Sequence, residues 1–223
     1  AGVNVFRVNF SHGDYETHRR TIRLVKELNE EFNCKTAVLA DLQGPKLRIG
    51  DVEDGAIINE GDVLTFTTNK VRGTAKLVYM NYQQFPQDVN AGERILLDDG
   101  KLMCEVLETN KKDTVVTKVI QGGPLKSKKG VNLPNTKVSL PCLTKKDLED
   151  VVVAMEEGVE WIGLSFVRDA ADVQELRKVI NDFGSFAKIV SKIEKPEAVV
   201  DIDNIIDATD AIMVARGDLG VEI

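Results

Sequence analysis

Residues 188–199 read KIVSKIEKPEAV, and residues 210–223 read DAIMVARGDLGVEI. Each stretch contains a short apolar run, residues 189–193 in the first and residues 211–215 in the second. A continuous apolar run is typical of a strand that is buried in a parallel sheet. Each run ends in charged residues, and charge at the carboxyl ends of successive parallel strands is typical of the catalytic face of a (β/α) barrel. The two stretches therefore predict an α/β fold with a site at one edge of its sheet.

The charged residues at these strand ends are Lys192 and Glu194 in the first stretch and Arg216 and Asp218 in the second. Side chains of a strand alternate between its two faces, so Lys192 and Glu194 share one face. Carboxylates from two neighbouring strands suit a hard divalent cation such as Mg²⁺, which also takes oxygens from a phosphate-bearing substrate. The simpler interpretation is an exposed ion pair between Lys192 and Glu194, which contributes little, with Asp218 as a turn residue. The repeated placement of charge at strand ends favours the site.

The composition is that of a globular protein with an acidic balance. The 223 residues are 43% hydrophobic and 29% charged, with a formal net charge of -7. This is enough for a buried core and argues against a nucleic-acid partner. No apolar run approaches the length of a membrane span, and the three cysteines, Cys34, Cys104 and Cys142, lack metal-ligand spacing. We expect a cytoplasmic protein with reduced thiols, no membrane contact and a sequence that is cut at both ends.

The first part of the chain predicts a strand–helix–strand unit. Residues 3–10 and 36–42 are apolar strands, and residues 15–32 between them form a helix. Apolar side chains recur at helical spacing in that helix: Ile22, Val25, Leu28 and Phe32.

The pattern changes at Gly44-Pro45 and stays changed to Pro141. We see no convincing helix in this region, and Asp98-Asp99-Gly100 is a hairpin signal between two of its strands. The predicted strands cover residues 63–67, 94–97, 102–107 and 114–120. The region therefore reads as a small all-β barrel domain that is inserted into an α/β chain.

The α/β pattern resumes after Pro141. Thr144 with Asp147 resembles a capping box at the start of a helix, and Gly158 ends that helix. A second helix covers residues 172–183, and Pro196 is well placed for the first turn of a third. The apolar positions of the third helix are Val199, Val200, Ile202, Ile205 and Ile206. The three strands of this part cover residues 161–166, 189–193 and 211–215.

These elements give five parallel strands outside the inserted domain. A closed (β/α)₈ TIM barrel needs three more, so we predict part of such a barrel whose remaining strands lie outside this chain. The predicted organisation is residues 1–44 as the first part of the barrel, residues 45–141 as the inserted β-rich domain, and residues 142–223 as the second part of the barrel.

Polar residues end most of the predicted strands: Arg7, Asn9, Ser11, Asp41, Ser165, Lys192, Glu194, Arg216 and Asp218. The cations Arg7, Lys192 and Arg48, beside a carboxylate pair, imply a substrate with phosphate groups, because phosphoryl transfer needs charge neutralisation. Two interpretations of Arg7 stay open, a phosphate ligand and an ion pair across the barrel mouth. The sequence has no GxxxxGK[ST] and no GxGxxG phosphate loop. Of the two histidines, His18 is expected on the solvated surface of its helix.

These motifs resemble the pyruvate kinases, in order and over the whole chain. NVFRVNFSHG (residues 4–13) is similar to the second barrel strand of that family, GPKLRIG (44–50) to the entry to its mobile lid domain, and KKGVNLP (128–134) to a lysine stretch of the lid. WIGLSFVR (161–168), SKIEKPE (191–197) and IMVARGDLGVEI (212–223) are similar to strands four, five and six. The resemblance implies a (β/α)₈ barrel, of which strands two to six are present, with a β-rich lid after strand three.

The activity implied by this resemblance is transfer of a phosphoryl group from phosphoenolpyruvate to ADP, giving pyruvate and ATP in the last step of glycolysis. It also implies Mg²⁺ (or Mn²⁺) as cofactor and a homotetramer for the full-length protein. Carried over residue by residue, Glu194 and Asp218 would hold the Mg²⁺. Lys192 would stabilise the phosphoryl group in transfer, and Arg7 and Arg48 would bind phosphates. The residues along the substrate would be Arg7, Lys192, Ala215, Arg216, Gly217 and Asp218, and those near the nucleotide Asn9, His12, Arg48 and Lys129.

The resemblance also concerns a monovalent cation, whose ligands align with Asn9, Ser11, Asp41 and the carbonyl of Leu42. Potassium-dependent members carry Thr-Lys-Gly-Pro-Glu where this chain has Leu-Gln-Gly-Pro-Lys at residues 42–46. The chain therefore resembles the potassium-independent type. We expect the ammonium of Lys46 to supply the positive charge that K⁺ otherwise brings, so that K⁺ is not required.

Two alternatives stand beside this interpretation. One is a Mg²⁺-dependent lyase or aldolase of the phosphoenolpyruvate/pyruvate barrel class, which has no reason for a β-rich lid and would not depend on ADP. The other is a non-catalytic structural fragment whose β module binds a ligand or partner. Because a barrel without three of its strands exposes two edges, we expect this chain by itself to have little or no kinase activity.

Overall fold

A five-stranded parallel sheet lies at the centre of the first of two units into which the chain divides. The computed structural model describes residues 2–223. The first unit runs to Pro45 and continues from Pro141 to Leu219. The second comprises Lys46–Leu140 and Gly220–Ile223.

The elements before Pro45 are β1 (Val5–Asn9), α1 (Tyr15–Glu31) and β2 (Ala37–Asp41). Those between Lys46 and Leu140 are β3 (Ile57–Ile58), β4 (Val63–Thr67), β5 (Leu77–Tyr79), α2 (Phe85–Asp88), β6 (Arg94–Leu97), β7 (Leu102–Thr109), β8 (Thr114–Gln121), β9 (Gly123–Pro124) and β10 (Val131–Asn132). Those after Pro141 are α3 (Lys145–Glu156), β11 (Trp161–Leu164), α4 (Ala170–Phe183), β12 (Lys188–Ile193), α5 (Pro196–Val200), α6 (Ile202–Ala208), β13 (Ala211–Val214) and α7 (Arg216–Glu222).

The parallel sheet has the order β1-β2-β11-β12-β13, so its strands follow the sequence. Every neighbouring pair is parallel, which confirms the five parallel strands expected from the apolar runs. Helices connect successive strands after β1 and after β11, as parallel pairing requires. Because the strands are parallel, all of their carboxyl ends meet at one edge of the sheet.

Helices α3 and α4 of this unit each begin with a side-chain cap. Thr144 and Asp147 form the predicted capping box of α3, and Gly158 lies just beyond its end with a φ of 64°. Asp169 caps α4 in the same manner, by accepting from the backbone N–H of Asp172. Between residues 2 and 223 no helix combines the length and the apolar character that crossing a membrane demands.

Helix α1 differs from the prediction in which side chains it buries. Ile22 and Val25 are buried as expected, but Leu28 is 41% and Phe32 is 64% exposed. His18, which we expected in solvent, is 6% exposed and stacks on Phe10 with a centroid distance of 4.4 Å. The buried stripe therefore lies at the start of the helix, where it faces the sheet, and the last turn extends past the core.

The single helix predicted after Pro196 is two short helices, α5 and α6, with Asp201 between them. Pro196 is in the first turn, as predicted. Of the expected apolar positions, Ile202 and Ile205 pack on the core. Val199, Val200 and Ile206 are instead exposed.

The second unit contains a six-stranded sheet of order β10-β6-β7-β8-β4-β5 and a two-stranded ribbon of β3 with β9. Its core is separate from that of the first unit and includes Leu64, Phe66, Phe85 and Ile95. The turn after β6 has Asp98 at φ 51° and Asp99 at φ 58°, and it joins β6 to β7 as the hairpin predicted from the Asp-Asp-Gly signal. The four-residue helix α2 lies where no helix was expected.

Candidate active site

The carboxyl edge of the parallel sheet gathers several of the sequence-predicted residues. The sheet register places Asn9 beside Asp41, and Asp41 beside Gly163 two residues before Ser165. Strand β12 continues the row with Lys192, and Glu194 directly follows it. Four neighbouring strands thus deliver side chains to one place, as the pattern of charged strand ends predicts.

Lys192 is the centre of this cluster. Its Nζ lies 2.7 Å from Ser165 Oγ, 2.9 Å from Glu194 Oε1 and 3.2 Å from Asp41 Oδ1. The side chain is 12% exposed. Burial lowers the pKa of Lys192, but the charges of Glu194 and Asp41 outweigh burial and leave the pKa above its ordinary value. Lys192 is therefore a fixed positive charge at neutral pH.

Glu194 is the most enclosed carboxylate of the cluster, with 1% exposure. Its Oε2 accepts from the backbone N–H of Phe166 at 2.8 Å, and its Oε1 contacts Lys192. Burial raises the pKa of Glu194; Lys192 opposes that rise, and the negative charge of Asp218 adds to it. The predicted contact of Lys192 with Glu194 is confirmed, but the pair is buried and not an exposed ion pair.

Arg7 and Asp41 form a second ion pair. Arg7 Nε donates to Asp41 Oδ2 at 2.6 Å, and the Arg7 side chain remains 53% exposed. Asp41 is 2% exposed, and its Oδ1 has no hydrogen-bond partner among residues 2–223, although Lys192 Nζ lies 3.2 Å away. The ion-pair interpretation of Arg7 is thus seen in this structure, with an exposed portion of the guanidinium left over.

The turn after β11 holds this cluster together. Phe166 has a left-handed backbone with φ 57°, which aims its N–H at Glu194. Gly44 packs against this turn at φ 67°, and a Cβ there would meet Phe166 Cδ2 at 2.8 Å and Ser165 Cβ at 3.0 Å. Only glycine fits both the backbone and the space. The sequence analysis named Ser165 as a polar residue at a strand end but missed the roles of Phe166 and Gly44. The glycine directly before Pro45 is the sequence feature that indicates the role of Gly44.

Two of the groups aligned with a monovalent cation accept hydrogen bonds from within the protein. Asn9 Oδ1 accepts from the backbone N–H of Ser11 at 3.0 Å. The Leu42 carbonyl accepts from Ser165 Oγ at 2.7 Å. Asp41 alone of the four keeps a buried oxygen without a hydrogen bond in the described residues.

Ala215 follows β13, and its N–H donates to the Ile193 carbonyl at 3.2 Å. This bond places it beside the residue between Lys192 and Glu194. Arg216, Gly217 and Asp218 form the first turn of α7 and are exposed. Across residues 2–223, no three His, Cys, Asp or Glu side chains are grouped as a metal site.

Two of the predicted nucleotide residues, Arg48 and Lys129, lie close together in the second unit. The Ile49 N–H, next to Arg48, donates to the Lys129 carbonyl at 3.0 Å. Lys129 Nζ pairs with Asp98 Oδ1 at 2.8 Å and lowers the pKa of that carboxyl. His12 belongs to the first unit and is exposed.

The chain is similar to known proteins along its whole length. A family model described as pyruvate kinase, barrel domain, matches residues 1–223. Proteins named pyruvate kinase match all of the chain: that of Corynebacterium glutamicum is 43% identical over 47% of its own length, that of Geobacillus stearothermophilus 44% over 38%, and that of Mycobacterium tuberculosis 42% over 47%. The chain therefore spans about half the length of these curated relatives or less. Since the family model covers every residue, the chain belongs to the pyruvate kinase family.

Proposed function

We propose that the protein to which this chain belongs transfers the phosphoryl group of phosphoenolpyruvate to ADP, giving pyruvate and ATP in the last step of glycolysis. The observation that carries the proposal is the buried Lys192 ammonium, held beside Glu194 and Asp41 at the carboxyl edge of the sheet. Transfer of a phosphoryl group is catalysed mainly by positioning and by preorganised positive charge. The names of the relatives support the same reaction.

Glu194 and Asp218 are the residues that we propose to hold Mg²⁺ or Mn²⁺. Asp218 lies near enough to raise the pKa of Glu194, so a cation between the two carboxylates would relieve their repulsion. Carboxylate oxygens are the ligands that Mg²⁺ prefers, and it commonly takes few of them from the protein and the rest from substrate phosphate and water. When bound, such an ion neutralises charge on phosphate oxygens.

Lys192 is proposed to stabilise the phosphoryl group during transfer, because its charge is fixed and its position is set by three neighbours. Arg7 binds the substrate phosphate with the exposed part of its guanidinium, while the other part stays on Asp41. The backbone of Ala215, Arg216 and Gly217 lies along the substrate, next to the metal carboxylate Asp218.

The nucleotide is proposed to contact Asn9, His12, Arg48 and Lys129. The last two are neighbours in the second unit and supply two positive charges for phosphates. Lys129 is paired with Asp98 in this structure, so we expect a nucleotide phosphate to replace that carboxylate.

We further propose that residues 45–141 form a β-rich lid inserted into a (β/α)₈ barrel, of which residues 1–44 and 142–223 supply strands two to six. The full-length protein is then a cytoplasmic homotetramer. The order of the five parallel strands supports the barrel assignment.

The experiment that tests this function measures pyruvate release from phosphoenolpyruvate by the full-length protein with Mg²⁺, with and without ADP. Release that depends on ADP and forms ATP supports the kinase. Release without ADP would instead support the lyase or aldolase alternative, and the absence of release would exclude both.

Potassium independence is a separate prediction and concerns Lys46. We expect wild-type activity in a sodium buffer without potassium, since the Lys46 ammonium supplies a positive charge that K⁺ otherwise brings. Lys46→Glu should lower activity in sodium by at least about tenfold, a loss of more than about 1.4 kcal/mol of transition-state stabilisation, and potassium should restore it. Measuring kcat in both buffers decides the matter.

Lys76→Glu is the matched control, because Lys76 is an exposed lysine of the same unit and undergoes the same charge change. It should leave activity in sodium unchanged. If Lys46→Glu is as active in sodium as wild type, Lys46 does not replace the cation.

A further inference from the structure

Ser165 connects two groups of the active site that come from different strands. Its side chain lies directly after β11 and is 1% exposed. Its Oγ donates to the Leu42 carbonyl at 2.7 Å and accepts from Lys192 Nζ at 2.7 Å. A serine hydroxyl has a single O–H. Because that O–H is committed to Leu42, a lone pair of Oγ is left facing the ammonium.

The ammonium of Lys192 has three N–H groups, and three oxygens of residues 2–223 lie close to it. Two are carboxylate oxygens, Glu194 Oε1 and Asp41 Oδ1, and the third is the neutral Ser165 Oγ. The Ser165 contact is the shortest of the three and is nearly inaccessible to water. Without that hydroxyl, only the two carboxylates would hold the ammonium, and nothing would fix its third N–H.

The turn that carries Ser165 has little freedom to move. The next residue, Phe166, is left-handed, and its N–H is bonded to Glu194 Oε2. Gly44 fills the space against both residues so closely that a Cβ would collide. The Ser165 carbonyl also accepts from Cys142 Sγ at 3.2 Å. One rigid turn therefore holds Glu194 by its backbone and Lys192 by its side chain.

We propose that Ser165 is a positioning residue of the reaction: anchored on the Leu42 carbonyl, its hydroxyl holds the Lys192 ammonium where the transferred phosphoryl group passes. The proposal rests on the proposed function, and it assigns to Ser165 a role that acts through Lys192 and not on the substrate directly. A positioning role predicts a loss in kcat with little change in KM, because the substrate-binding groups themselves remain.

The test compares Ser165→Ala with Ser191→Ala in the full-length protein. Ser191 is also fully buried in this sheet, and its Oγ bonds Thr209 Oγ1 at 2.9 Å, away from Lys192. We expect Ser165→Ala to lower kcat by about 10- to 100-fold, the range for loss of a hydrogen bond to a charged group. Ser191→Ala should keep the wild-type kcat, and Ser165→Thr, which retains the hydroxyl, should recover most of the loss. Equal kcat values for the two alanine variants would overturn the proposal.

Two further measurements separate this proposal from simple destabilisation and from the proposed function. In a Lys192→Met background, Ser165→Ala should no longer lower the residual kcat, because the residue through which Ser165 acts is gone. A further loss of about tenfold or more in that background would argue against the proposal. Crystal structures of wild type and Ser165→Ala give a second test, which does not require an active enzyme. Lys192 Nζ should shift away from Leu42 in the variant, and an unmoved ammonium would contradict the proposal even in an inactive protein. Lack of ADP-dependent pyruvate release by wild type refutes the function alone.

Discussion

At the scale of single residues, Lys192 shows how a buried cation is kept charged. Removing a charge from water is costly unless close partners compensate. Two carboxylates and one hydroxyl surround the ammonium. Burial lowers the pKa of Lys192, and the charges of the two carboxylates, Glu194 and Asp41, outweigh that effect and raise it. Glu194 has the opposite balance, since burial raises its pKa despite the neighbouring ammonium. The cluster thus contains a permanently charged ammonium, Lys192, and a carboxylate, Glu194, whose charged form a further cation would stabilise.

His18 gives a prediction about stability and pH. Burial lowers the pKa of His18 below the ordinary 6.5. The negative charge of Asp150 partly opposes this shift, and the positive charge of Lys146 adds to it. The unfolded chain therefore binds a proton more readily than the folded chain, so the stabilising contribution is present above about pH 6.5 and is lost as the pH falls below it. His18→Phe keeps the stack on Phe10 and removes the titration. We expect its melting temperature to change less than that of wild type between about pH 7.5 and 5.5.

The control for this prediction is His12→Gln, because His12 is the other histidine and is exposed. Its pH profile of Tm should follow the wild type. A His18→Phe profile that also follows the wild type would mean that His18 does not couple folding to pH in this range.

Some residue contacts follow from the sequence, and others depend on the fold. The contact of Lys192 with Glu194 follows from strand alternation alone. The hydrogen bond from Ser165 to the Leu42 carbonyl joins residues that are 123 positions apart, so no local sequence pattern predicts it. The left-handed conformation of Phe166 is likewise not predictable from the sequence, because Phe has no preference for positive φ. His18 was misplaced because a histidine on a helix is usually solvated, whereas here Phe10 covers it.

At the scale of elements, the first turn of α3 holds the ends of both β1 and β2. Lys146 Nζ donates to the Phe10 carbonyl at 2.9 Å, just beyond β1. Asp147 Oδ1 accepts from the backbone N–H of Gly44 at 3.0 Å, just beyond β2, and Oδ2 accepts from Thr144. A helix cap that stabilises its own helix thereby also fixes the loops that carry Ser11 and Gly44.

Asp147 is therefore expected to matter more than an ordinary cap. Asp147→Ala removes the capping box and leaves the buried Gly44 N–H without its acceptor, so we expect a loss of about 3 kcal/mol in the free energy of unfolding. Asp169→Ala at the cap of α4 removes one carboxylate oxygen that accepts from the backbone N–H of Asp172. We expect it to lower the free energy of unfolding by about 1 kcal/mol. Denaturant unfolding of the two variants measures the difference. Equal losses would show that the bond to Gly44 adds nothing.

The bounds of two strands and the start of one helix were predicted correctly from the sequence. Strands β4 and β6 agree with the prediction at both ends, and α3 begins at its capping box. The helix after Pro196 was not predictable in detail, because its break depends on a tertiary contact. Asp201 Oδ2 accepts from the backbone N–H of Ala170 at 3.0 Å, which ties the break to α4. Propensity alone does not report such a contact.

At the scale of the whole molecule, the parallel sheet ends in two strands that each have one neighbour within residues 2–223. These are β1 and β13. Both carry exposed apolar side chains: Val5 at 47%, Phe6 at 42%, Ile212 at 42% and Val214 at 54%. Unpaired strands with exposed apolar residues associate with other chains. The apolar runs predicted these strands as buried, which is the state that further strands at both edges would produce.

The last prediction concerns residues 1–223 expressed alone. We expect little or no ADP-dependent pyruvate formation from them, because the proposed metal residue Asp218 and the proposed substrate residue Arg216 follow the edge strand β13. Within residues 2–223 this strand is paired on one side only. We also expect concentration-dependent association, measured by sedimentation, since both sheet edges are open. The full-length protein at the same concentration is the control and should be active. Turnover by residues 1–223 close to that of the full-length protein would show that one-sided pairing of β13 is enough to position the site.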